Sequence, residues 1–173
     1  MLVIDQTGTV EVQQDLVTVQ RTKQFVDLLL AVRRRETRWT EMFVDDPAMQ
    51  PEHLLRAFLA EQAVAEYLDC PYRLEISDNA RRTDVDGIEV RAVRRMTDHL
   101  ITQPFDKQAP YVLAVVDHEI ATVILRGWLE LQDCNVREHW RSDAPRPAFF
   151  TPATALHPPA TLRDQYQQRK RRS

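Results

Sequence analysis

Tyr111 to Val116 reads YVLAVV, an unbroken apolar run too short for an ordinary helix. It reads instead as a central strand buried on both faces. A short polar turn, Asp117-His118-Glu119, follows, and then a second long strand from Ile120 to Leu131 (IATVILRGWLEL). Gly127 inside that strand marks a bulge or a point of close backbone approach. The acidic turn could be taken for a catalytic cluster, but between two apolar runs it is better read as a hairpin tip. A strand buried on both faces needs cover on both sides. The chain is therefore expected to be α/β, with a mixed central β-sheet of four or five strands flanked by helices.

The elements before this hairpin supply that cover. Leu2 and Ile4, a Thr7-Gly8 turn, then Val10 and Val12 suggest short strands within Met1 to Val19. From about Thr22 to Glu36, Phe25, Leu28, Leu29 and Val32 recur at helical spacing and lead into Arg33-Arg34-Arg35. Basic residues suit a helix C-terminus, so this run is a solvated end before it is a phosphate contact. Trp39 to Gln50 reads as a loop, and Pro51 opens a helix over about Glu52 to Leu68.

That second helix carries an oddity. At about 100° per residue, Leu54, Ala57, Phe58, Val64, Ala65 and Leu68 all fall within about 60° of Glu61. A carboxylate in the middle of an apolar stripe is costly unless it is paired or holds a cation. A salt bridge to Arg91 or Arg94 is the structural alternative.

After Cys70-Pro71, the residues Tyr72, Leu74 and Ile76 alternate with polar ones and suggest a strand. A polar loop from Ser77 to Thr83 follows. Then comes Asp84-Val85-Asp86-Gly87-Ile88-Glu89-Val90-Arg91. Asp-Gly is a tight-turn signal, and the alternation beyond it predicts a strand with Glu89 and Arg91 on one face and Ile88 and Val90 on the other. Two carboxylates and a cation then converge at the head of one strand. Hard oxygen ligands in such a grouping suit Mg²⁺ or Mn²⁺.

Composition removes several alternatives. The 173 residues are enough for one domain with a real core, and a net charge of −3 gives no global footprint for nucleic acid. Only 3 glycines are present, with neither a Walker loop nor a dinucleotide fingerprint. No serine occupies a nucleophile elbow. Cys70, Cys134, His118 and His139 lack zinc-site spacing. Two cysteines and no long apolar run point to a reduced cytoplasm without a membrane span.

Asp84, a short spacer, then Glu89-x-Arg91 resembles the D…(D/E)xK signature of the PD-(D/E)xK nuclease superfamily, whose fold is restriction-endonuclease-like. Small phage and prokaryotic members, with a motif close to D-x-G-G-x-E-V-(K/R), are the most similar. Gly127-Trp128, a loop with Trp140, and Phe150, Pro152 and Leu156 follow in the order seen in such proteins, so the likeness covers roughly Leu54 to Leu156. It implies a single nuclease-like α/β domain over 1–160, with N-terminal strands and helix in 1–50, a core in 51–156, and a basic, flexible tail over 161–173. The activity implied is metal-dependent phosphodiester hydrolysis of DNA in a bacterial or phage-infected cytoplasm. Asp84, Glu89 and Glu61 would hold Mg²⁺ or Mn²⁺, and Arg91 would join them in catalysis. Arg81, Arg82, Arg94 and Arg95 are the candidate backbone-phosphate contacts. A homodimer or a protein partner is compatible with the same fold.

One departure matters. Arg91 stands where most members have lysine, and an arginine is always protonated. It can clamp a phosphate or stabilise charge but cannot take a proton. The alternative is an inactive nuclease-like fold acting as a nucleic-acid-binding or protein-binding accessory or inhibitor.

Overall fold

The computed structural model describes residues 2–4, 8–33, 50–74, 83–119 and 121–172. Its centre is the expected hairpin. Strand β5 (Pro110–Asp117) pairs antiparallel with β6 (Thr122–Glu130). From Pro110 to Val116 every residue of β5 is buried, as a strand covered on both faces must be. The ladder shifts register between Leu113 and Ala114: Leu113 faces Gly127 while Ala114 faces Leu125. A Cβ at Gly127 would meet the His157 carbonyl oxygen and the Leu156 Cβ, each at 2.6 Å. Gly127 is therefore both bulge and close approach, the two reasons a strand keeps a glycine.

The rest of the sheet grows outward from this pair. Strand β2 (Val10–Gln13) lies antiparallel to β6, and β1 (Leu2–Ile4) lies antiparallel to β2. On the other side β3 (Glu89–Val93) runs parallel to β5, so the five-stranded sheet is mixed, in the order β1-β2-β6-β5-β3. Among the described residues β3 ends the sheet.

Register sorts side chains to the two faces. Val90 is level with Val112 and Ala92 with Ala114. These join the larger core with Val10, Val12, Leu125 and Trp128. Three helices cover it: α1 (Leu16–Arg33), α2 (Gln50–Leu68) and the C-terminal helix α4 (Pro159–Arg172). Phe25 of α1 meets Phe58 of α2 edge-on at 5.4 Å. Full burial of each such side chain is worth about 1.5–3 kcal/mol. The opposite face carries Tyr111, Leu113 and Leu129, covered by Leu100, Leu131 and Cys134. Those come from a second, three-stranded sheet, β4 (Leu100–Thr102), β8 (Ala148–Thr151) and β7 (Trp140–Arg141), and from the short helix α3 (Leu131–Cys134).

Three expectations are corrected. Helix α1 begins at Leu16, not near Thr22, because Asp15 caps it. Its Oδ1 accepts the Thr18 backbone N–H at 2.7 Å, and its Oδ2 accepts the Thr18 hydroxyl at 2.7 Å. Residues 71–74 are irregular rather than a strand, and Ile76 lies outside the described residues. The basic segment expected as a flexible tail is helix α4, held by buried Leu162 and Tyr166 at i, i+4 spacing. The arginine run at 33–35 and the loop at 39–49 lie outside what is described of side chains.

Candidate functional site

The Asp84–Arg91 stretch folds as its spacing implies. Val85 and Ile88 exchange backbone hydrogen bonds of 3.0 and 2.8 Å around Asp86-Gly87, a two-residue hairpin turn. Both central residues have positive φ, 37° and 92°. This is the left-handed geometry for which Asp-Gly is suited. The Thr83 hydroxyl steadies the turn by accepting the Gly87 N–H at 2.7 Å. The chain then doubles back, so that Asp84 Oδ2 accepts the Val90 N–H at 2.8 Å. Asp84 is thereby fixed beside the first residues of β3.

Glu89 and Arg91 share the face of Tyr111, level with Glu89 across the sheet. Glu89 is 4% exposed. A carboxylate so buried needs compensation, and two cations supply it. Lys107 Nζ lies 2.8 Å from Glu89 Oε1, and Arg91 Nη1 lies 3.6 Å from Glu89 Oε2. Arg91 in turn gives Nη2 to Asp106 Oδ2 at 3.1 Å and stacks its guanidinium 4.9 Å from the Tyr111 ring centre. Its fork is held on three sides.

Glu61 reaches the same field from the helical face. Its Oε2 accepts the Tyr72 hydroxyl at 2.7 Å. Burial drives its pKa up to about 8, the Tyr72 bond opposes this, and the charges of Asp84 and then Glu89 add to it. Asp84 is also raised, first by burial and then, against the Val90 bond, by Glu89. Three carboxylates thus feel one another at the head of β3.

Of the four residues expected to act together, Glu89 and Arg91 pair directly, Asp84 is tied to β3 through the Val90 N–H, and Glu61 is tied to Tyr72. Arg94 and Arg95 lie on the exposed bend after β3. Arg81 and Arg82 lie outside the described residues. The partner of Glu61 is Tyr72 rather than the Arg91 or Arg94 of the structural alternative. Sequence reasoning missed Lys107, Asp106 and Tyr72. Lys107 is 18 residues from Glu89, and nothing local in its surroundings marks it. Both cysteine thiols are pushed up by burial, Cys134 to about 12, so neither is a ready nucleophile.

The donor set suits a hard divalent cation in kind, since its side chains offer carboxyl oxygens. It is not closed around one. Among the described residues, no three His, Cys, Asp or Glu side chains stand together as a metal-holding group. Glu61 projects from α2, which covers the larger core, whereas Glu89 is level with Tyr111 on the other face of the sheet. Among the described residues, too, no helix is long and apolar enough to cross a membrane. No protein-family model, curated protein or solved structure matches the chain.

Proposed function

We propose that the site at the head of β3 hydrolyses phosphodiester bonds of DNA with the help of Mg²⁺ or Mn²⁺. The observation that carries this is Lys107 against Glu89, in the field of Asp84 and Glu61. A lysine stands at the acidic pair, although it comes from the segment before β5 and not from the strand where Arg91 sits.

Asp84 and Glu89 would hold the cation, with Glu61 joining directly or through water. Bound there, it supplies polarisation of a phosphoryl oxygen and a lowered pKa for water. The chain's own residues do the rest. Val90 N–H holds one oxygen of Asp84, which would leave the other for the cation. Arg91, clamped by Asp106 and Tyr111, keeps a fixed positive fork for the charge that develops on phosphorus. The Lys107 ammonium would offer three donors to the phosphate or to its attacking water.

A second reading has its own support. Each carboxylate already has a partner within the protein: Glu89 has Lys107 and Arg91, Asp84 has Val90 N–H, and Glu61 has Tyr72. A self-contained network of this kind is also what a nuclease-like fold retained for nucleic-acid or protein recognition would show. Incubation of supercoiled plasmid with the protein and Mg²⁺ or Mn²⁺ separates the two. Nicking by wild type but not by Glu89→Gln or Lys107→Met supports hydrolysis. An inert wild type that still retards DNA, or captures a protein partner, favours recognition.

A further inference from the structure

Phe105 is 85% exposed. It is the third residue of the turn Gln103-Pro104-Phe105-Asp106, closed by the Asp106 N–H donating to the Gln103 carbonyl at 3.1 Å. Proline sets the second position of such turns, and small polar residues suit the tip. A phenylalanine there gains nothing from the core.

The turn is also anchored. Asp106 Oδ2 accepts the Gln103 N–H at 2.9 Å and pairs with Arg91 at 3.1 Å. Lys107 reaches Glu89, and its carbonyl accepts the Tyr111 hydroxyl at 3.2 Å. Phe105 therefore stands on a rigid pedestal built from the site's own cations and acids. Two residues of chain extend at most about 7 Å, so its Cα lies within that distance of the Cα of Lys107.

We propose that Phe105 is a stacking platform for an unpaired nucleobase beside the phosphate handled at Glu89 and Lys107, making single-stranded nucleic acid the preferred substrate. The inference rests on the proposed phosphodiester chemistry of that site. An aromatic ring accepts the face of any base, but only where the base is out of a duplex stack. A base so held would bring an adjoining phosphate near the turn that carries Lys107, two residues along the chain. Sequence preference would be weak, because stacking does not read hydrogen-bonding edges.

The test is Mn²⁺-dependent cleavage of a fluorescein-labelled oligodeoxynucleotide, single-stranded and as duplex, by wild type, Phe105→Ala and Phe105→Trp. The expected result is faster cleavage of the single strand by wild type. Phe105→Ala should raise KM for the single strand roughly ten-fold with little change in kcat. Duplex cleavage should be unchanged, and Phe105→Trp should restore KM. Equal kinetics for Phe105→Ala and wild type on the single strand would overturn the inference alone. So would a wild-type dimer that Phe105→Ala converts to monomer in sedimentation, since the ring would then cover a second copy. A wild type that cuts neither substrate and takes up no Mn²⁺ would overturn the site chemistry itself.

Discussion

The Lys107 ammonium closes on the Glu89 carboxylate at 2.8 Å across 18 residues of sequence, and that pairing decides what the buried acid can do. It makes Glu89 tolerable in the protein interior. Removing the lysine should therefore be more costly than removing both partners. Lys107→Met is expected to destabilise by about 1–3 kcal/mol, less than for a fully buried pair because the lysine is one-third exposed. Lys107→Met combined with Glu89→Gln should recover at least about 1 kcal/mol of that loss. Urea unfolding of the two single variants and the double variant measures the coupling. Strict additivity would show that the pair is only adjacent.

Glu61 makes stability depend on pH in an unusual direction. Its carboxyl titrates near 8 in the folded chain against 4.5 as the ordinary value, so the folded state binds the proton more tightly. The corresponding stabilisation is full below about 4.5 and is lost as pH rises through about 8. Between these limits unfolding free energy should fall with pH, by up to about 1.4 kcal/mol per unit from this group. Glu61→Gln should flatten that slope. Tyr72→Phe removes a bond to the charged form and should steepen the loss above pH 7. Thermal melts across pH 5 to 8 read both effects.

Helix α4 holds the site turn from outside. The Tyr166 hydroxyl donates to Asp86 Oδ2 at 2.6 Å, and Lys170 Nζ lies 2.8 Å from the same oxygen. Lys170 and then Tyr166 hold the Asp86 carboxyl below its usual range. The exposed ion pair is worth little by itself. The buried ring is what docks the helix. Tyr166→Ala should lower stability by about 2–4 kcal/mol and open the Arg169–Arg172 segment to trypsin. Asp86→Asn should change stability by less than about 1 kcal/mol. Equal effects of the two variants would mean that the charge, not the ring, docks the helix.

Gly127 joins the sheet to the segment leading into α4. Trp128 exchanges backbone bonds of 3.0 Å with His157, and its indole N–H donates to the Thr161 hydroxyl at 2.8 Å. A methyl at position 127 would strike backbone and Cβ atoms that cannot swing aside. Gly127→Ala should cost about 1–3 kcal/mol or more and shift the Trp128 emission. A neutral substitution would mean that the 156–157 segment is loosely held.

How much of this was legible follows from where each signal lies. The β5–β6 hairpin and the Asp86-Gly87 turn are local patterns, and each formed where its pattern lies, whereas the stripe expected around Glu61 is displaced: Leu54, Ala57 and Glu61 are half-buried, and the buried face of α2 runs through Leu59, Ala60, Ala63, Val64 and Tyr67. The α4 helix was also legible in part, through Leu162 and Tyr166 one turn apart, but its basic composition outweighed that pair. The second sheet was not, because its strands run to only two to four residues, too short for alternation to register. Tyr72 alternates like a strand residue, yet its hydroxyl is engaged by Glu61, which no local pattern encodes. Lys107 is the same case on a larger scale. Sequence shows Glu89 at the head of a strand, whereas only the fold brings Lys107 to it.

Whether the acids at the head of β3 take up a divalent cation is tested most directly by isothermal titration of Mn²⁺ into wild type and Asp84→Asn. Asp84 is the better probe because its removal leaves the Lys107–Glu89 pair in place. The expected result is saturable binding by wild type, lost or weakened at least ten-fold in a variant whose melting temperature is nearly unchanged. A flat wild-type titration, or equal binding by both proteins, would contradict a metal-dependent site built on Asp84 and Glu89.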